Sequence, residues 1–120
     1  MEKHDVRVYA FPSYVEGSQS PWQFNYRIEI ENHGSLSVQL LRRRWLITDG
    51  EGRHIEVEGP GVVGEEPIIA PGQVFSYQSG VPLDTPLGVM EGSYLMQDEE
   101  GEEFEAPIAP FTLAVPHIIN

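Results

Sequence analysis

In the stretch WQFNYRIEIEN, residues 22–32, Trp22, Phe24, Tyr26, Ile28 and Ile30 fall on one parity and Gln23, Asn25, Arg27, Glu29 and Glu31 on the other. Strict period 2, apolar on one side and polar on the other, predicts an antiparallel strand with one wet face. The next apolar stretch, LSVQLLRRRWLITD, changes phase partway: Val38 and Leu40 share one parity, while Leu41, Trp45 and Ile47 share the other. A β-bulge near Leu40 and Leu41 brings both sets to the core side. It also turns Arg43 that way, so Arg43 is expected near an edge or with its stem laid over apolar neighbours.

Turn signals separate the remaining runs. Asp49-Gly50 in TDGEGRH predicts a hairpin with positive φ at the glycine. RHIEVEG returns as a strand, and Pro71-Gly72 marks a turn that wants proline and then glycine. QVFSYQSG and GVMEGSYLMQD follow as strands, the latter with Met90, Gly92, Tyr94 and Met96 inward, and the chain reverses at Gly101. In EFEAPIAPFTLAV, Pro107 and Pro110 confine the last strand to an edge or a bulge. No stretch of helical length shows 3.6-residue periodicity. Seven to nine short strands predict an all-β, immunoglobulin or fibronectin type III-like sandwich of two antiparallel sheets.

Length and composition narrow this reading. A chain of 120 residues is expected to be a single domain over 1–120, and 40% hydrophobic residues are enough for a core. No cysteine is present, which removes disulfides, thiolate nucleophiles and thiolate-held zinc or iron–sulfur sites. No run approaches the roughly 18 apolar residues of a membrane helix, and the start MEKHDVRVYAF lacks signal-peptide features. A cytoplasmic protein with no membrane partner is expected. The formal net charge is −12, and residues 54–120 hold 12 of the acidic residues and no Lys or Arg. That balance repels a polyanion and excludes nucleic acid as a partner. It suits solubility, a basic protein partner or weak attraction of cations.

Four groups of residues invite a chemical reading. In VEGPGVVGEEP, residues 57–67, Gly59, Gly61 and Gly64 make the spacing G-x-G-x-x-G. Where that spacing wraps a pyrophosphate, a helix follows and its N-terminus supplies N–H groups and a positive dipole end. Here IIAPG breaks any helix after four residues, Pro60 lacks a donor, and Glu58, Glu65 and Glu66 oppose a phosphate. The plainer reading is a loop that needs positive φ. Arg42, Arg43 and Arg44 are the one basic cluster; they suit either an anion clamp or ion pairs with Glu29 or Glu31 of the preceding strand. The run DEEGEEFE, from Asp98 to Glu105, misses the EF-hand spacing, and a hairpin tip sends its side chains outward. His4, His33, His54 and His117 show no ligand spacing, although His4 and His117 lie near opposite termini and could meet. No metal site, cofactor or catalytic residue is expected.

Taken together, YRIEIENHG, VQLLRRRWLITDGEGR, GPGVVGEEPIIAPGQVFSYQSG, TPLGVMEGSYLM and APFTLAVP resemble the ApaG family over nearly the whole chain. The resemblance implies a fibronectin-type sandwich. It also implies an association with cobalt and magnesium efflux in bacteria. The related eukaryotic domain, in an F-box protein and a polymerase-delta-interacting protein, implies an interaction module, and the family's glycine motif implies a candidate pyrophosphate site. The chain departs from the family pattern at Pro60, at Arg44 before Trp45 and in a shorter EGSQSPW loop. The expected function is a non-catalytic interaction module with a protein partner. The alternatives are a pyrophosphate or nucleotide binder at Gly59, Gly61 and Gly64, or weak divalent-cation binding by the acidic half.

Overall fold

The computed structural model describes residues 1–117; the last three positions of the expected domain lie outside the described residues. Eight strands run in order: β1 (Val6–Tyr14), β2 (Trp22–Asn32), β3 (Val38–Asp49), β4 (His54–Pro60), β5 (Ile68–Ile69), β6 (Val74–Leu83), β7 (Leu87–Asp98) and β8 (Glu103–Ala114). They form two sheets with antiparallel pairing throughout. One is β1-β2-β6; the other is β4-β3-β7-β8, with the short β5 also paired to β3. There is no helix among the described residues.

Side-chain alternation decides what each strand buries. In β2, Phe24, Tyr26, Ile28 and Ile30 are buried, while Arg27 turns outward and lies 4.3 Å over the ring of Phe11. In β3 the register against β7 slips between Leu40 and Arg42. This bulge lets Val38 and Leu40 before it, and Trp45 and Ile47 after it, enter one core. Leu41, expected on the core side, is the bulged residue and only half-buried; its carbonyl accepts the Gly61 N–H at 2.8 Å. In β8, an edge strand, the register slips between Met90 and Gly92 opposite the segment containing Pro110. Pro110 thus sits in the slip, and Pro107 lies in the ladder of an edge strand opposite Ser93.

The sheets meet around Trp45. Its ring lies 5.5 Å from Tyr26 of the opposite sheet and 6.4 and 5.9 Å from Tyr94 and Phe111 of its own, all edge-on. That is the arrangement the ring quadrupoles favour. Beside it, the hydroxyls of Tyr77 on β6 and Tyr94 on β7 hydrogen-bond across the core, and burial pushes both phenols far above their ordinary range.

Gly72, in the Pro-Gly turn, and Gly101, where the chain reverses, take positive φ, but in the β3–β4 hairpin the positive φ falls on Gly52, not on the expected Gly50. The Asp49 carboxylate accepts the N–H groups of Glu51 and Arg53 at 2.9 and 3.0 Å. That side-chain turn moves the left-handed residue to the end of the connection.

The two flanks of the sandwich differ. On one, β1 lies against β8 and closes the core. On the other, β4 pairs with β3 alone and β6 with β2 alone. Ile55 and Val57 lie opposite Ile47 and Trp45, so they share the inner face, yet they are 56% and 36% exposed.

Trp45→Ala is expected to lower stability by about 3–5 kcal/mol, the usual cost of removing a large core aromatic. Urea unfolding checks this, and an unchanged midpoint would contradict the central position of Trp45.

Candidate functional site

The glycine stretch is part strand and part turn. Gly59 is a buried residue of β4 opposite Arg43. Gly61 comes two residues later at φ 58°, and Val63 and Gly64 take φ 44° and 82°. Val62 and Glu65 exchange backbone hydrogen bonds of 2.8 and 2.9 Å around them. Positive φ at both central residues is the arrangement of a tight type I′ hairpin. Each glycine answers a different demand. A Cβ on Gly59 would come within 2.9 Å of the Arg43 guanidinium, and one on Gly61 within 2.2 Å of the Glu65 carbonyl oxygen, while Gly64 has open space around it.

Arg43 organises this turn from the inner face. Its Nη1 donates to the carbonyls of Pro60 and Gly61 at 2.9 and 3.1 Å. The Gly61 N–H goes to Leu41 and the Val62 N–H to Glu65. The turn therefore directs carbonyl oxygens at a cation, and the next element in the chain is the two-residue β5 rather than a helix. Arg44 lies on the outer face, 3.6 and 3.3 Å from Glu56 and Glu58 of β4. The expected partners Glu29 and Glu31 sit in the other sheet, because β2 pairs with β1 and β6. β2 and β3, consecutive in the chain, lie in different sheets.

The acidic hairpin is more ordered than its sequence suggests. Asp98 turns inward and is buried. Its Oδ1 accepts the N–H groups of Glu100 and Glu102 at 2.8 and 3.0 Å, and its Oδ2 accepts from His4 Nε2 at 2.7 Å. The His4 ring stacks on Phe104 at 3.8 Å. The Lys3 ammonium reaches Glu100 and Glu102 at 3.2 and 3.6 Å. His4, Asp98 and Glu102 each present a ligand atom within 4.8 Å of the others, but Asp98 Oδ1 is turned to the hairpin's own N–H groups, Oδ2 to His4, and Lys3 supplies a cation in place. The His4 hydrogen bond, with those from the Glu102 and Glu100 backbone, holds the Asp98 carboxyl below its ordinary range against the opposing effect of burial. An aspartate opening a Gly-containing turn was a readable signal for this anchor; a partner 94 positions away was not. His33 and His54 make separate local contacts with Glu31 and Thr48.

The open flank forms a largely apolar concavity. Tyr26, Trp45, Ile55, Val57, Val81 and Pro82 line a cleft of about 350 Å³ between β4 and β6, with Arg43 at one end. It runs into a second recess of about 540 Å³ through the shared residues Ile47, Ile55 and Pro82, and Asp49, Arg53 and Asp84 border that end. RHIEVEG reads in the sequence only as a returning strand; the alternation of Ile55 and Val57 with Glu56 and Glu58 does not reveal that no strand covers them.

Eight antiparallel strands in two sheets, a glycine turn closed on an arginine and one unclosed flank define a small all-β protein built around a surface groove. Residues 12–98 match the ApaG domain. The chain is 51% identical to Protein ApaG of Vibrio vulnificus over 119 residues, covering 96% of this chain and 94% of that protein. It is 49% identical to Protein ApaG of Paramagnetospirillum magneticum, covering 94% and 90%. The crystal structure of an ApaA protein from Bordetella pertussis superimposes with a TM-score of 0.93 at 45% identity, covering 97% of this chain and 98% of that one. The chain belongs to the ApaG family.

The turn and the hairpin each lead to a measurable outcome. Gly64→Ala meets no atom, so it is expected to lose only the ~1–2 kcal/mol of a left-handed residue. Gly61→Ala meets a carbonyl oxygen as well and is expected to lose more. Equal midpoints for the two in urea would contradict the geometry. The second outcome concerns pH. A carboxyl held below its ordinary range contributes stability above that range and loses it as pH falls through the depressed value. The acid limb of stability below about pH 4 is therefore expected to be shallower in Asp98→Asn than in the parent protein. Superimposable acid limbs would show that Asp98 does not carry the linkage.

Proposed function

We propose that this protein is a non-catalytic binding module that recognises a protein partner through the flank between β4 and β6. The observation carrying this reading is the apolar cleft there, with Ile55 and Val57 exposed beside Trp45. Apolar surface left in water forgoes about 25 cal/mol per Å², and a continuous apolar groove with a polar rim is the usual mark of an interaction site. The remaining polar clusters act within the fold: Arg43 closes a turn, Asp98 and His4 fix a hairpin, and the Tyr77–Tyr94 bond joins the sheets. The module works in the cytoplasm, and its family resemblance associates it loosely with cobalt and magnesium efflux. The second reading, pyrophosphate or nucleotide binding at Gly59, Gly61 and Gly64, draws on the neighbouring arginines. Against it, Arg43 and the Gly61 N–H are engaged with the protein's own backbone.

The test is affinity capture with the parent protein, an Ile55→Glu/Val57→Glu variant and a Glu99→Ala/Glu100→Ala control. A partner held by the parent and the control but released by the flank variant is the expected result. Capture indifferent to the flank, or a saturable amide response to pyrophosphate at residues 58–66, would overturn the reading.

A further inference from the structure

We propose that the partner enters the flank as an extended segment that adds to β4 as a further strand, and that this segment alternates apolar with basic residues. This rests on the binding-module reading and names the chemistry of the partner.

The edges of the two sheets are not equivalent. A bare edge offers a row of N–H and C=O groups, and proteins blunt such edges with proline, bulges, inward charges or a covering element. β1 contains Pro12 and lies against β8; β8 contains Pro107 and Pro110 and a register slip; β6 contains Pro82. In β4 the only proline is its last residue, Pro60, and its inner-face positions Ile55, Val57 and Gly59 hold no charge. Residues 74–81 of β6 also lack proline, but of the two open edges only β4 leaves its apolar inner-face side chains, Ile55 and Val57, exposed.

The pleat then dictates the side chains of an added strand. Successive residues point to opposite faces. One set would lie beside Ile55 and Val57 over the cleft formed with Trp45, Val81 and Pro82; apolar residues fit there. The other set would lie on the outer face beside Glu56 and Glu58. Of the guanidiniums nearby, Arg44 is engaged by Glu56 and Glu58, Arg53 by Asp49 and Glu51, and Arg43 by two carbonyls, while Arg42 lies at the Pro60 end of the strand. Asp84 adds a further carboxylate at the end of the groove. Basic residues fit this face, since opposite charges across a strand pair stabilise it and like charges oppose it.

The same rule argues against a second copy of this chain. Antiparallel pairing of β4 with another β4 about Val57 would set Glu56 directly against Glu58 of the copy.

The test uses an octapeptide of alternating Val and Lys, monitored by amide chemical-shift titration. Saturable shifts at residues 54–60 and 79–82 are expected. Binding should weaken about tenfold, a 1.4 kcal/mol difference, for an alternating Val and Glu octapeptide and for a block peptide of four Val then four Lys. The charge preference should reverse in a Glu56→Lys/Glu58→Lys variant. No saturable response, equal binding of block and alternating peptides, or shifts centred on residues 99–105 would overturn strand addition. Shifts at β4 that grow with protein concentration alone would replace it with self-association. If the peptides fail while flank-dependent capture persists, strand addition falls and the binding module stands; if both fail, the module reading falls as well.

Discussion

A sheet of three strands faces one that is four strands wide, and this difference in width governs the molecule. Stacked sheets bury only the area they share. With β1 set against β8, the whole mismatch falls at β4. There the inner-face residues Ile55 and Val57 obey the alternation of a buried strand without being covered. Trp45 stands at the boundary of the covered area. Its indole reaches Tyr26 of the other sheet on one side and borders the cleft on the other. A large aromatic of the core therefore also forms part of the floor of the groove.

The bulge in β3 is the second consequence of fitting these sheets together. By adding one residue between Leu40 and Arg42 it turns Arg43 to the inner face. A guanidinium there needs oxygens, and it finds them in the Pro60 and Gly61 carbonyls. The room it occupies is room a side chain at Gly59 would have filled. The G-x-G-x-x-G spacing is thus explained from within the fold: Gly59 admits the arginine, Gly61 permits a close approach to Glu65, and Gly64 supplies positive φ.

Much of this was legible in the sequence, and the rest was not for identifiable reasons. Period 2 identified β2 and its buried face, the phase change at Leu40–Leu41 located the bulge, and Pro107 and Pro110 placed β8 at an edge, because each of these is a local demand on the backbone. Sheet order is not local. The arginines were matched with Glu29 and Glu31 because those strands are consecutive in the chain, whereas β3 pairs with β4 and β7. The contact of His4 with Asp98 joins the first strand's approach to the seventh strand's end, a distance no spacing rule spans. The open flank was invisible for the same reason: alternation says which side chains face inward, and only the assembled sheets say whether anything lies opposite them.

If β4 is an edge held open for a partner strand, amide hydrogen exchange will register it. In the free protein, amides of residues 54–60 should exchange well before those of the central strand β7, and addition of the alternating Val and Lys octapeptide should slow them selectively. Protection in β4 already equal to that in β7 in the free protein, or slowing that appears elsewhere and leaves residues 54–60 unchanged, would show that β4 is not such an edge.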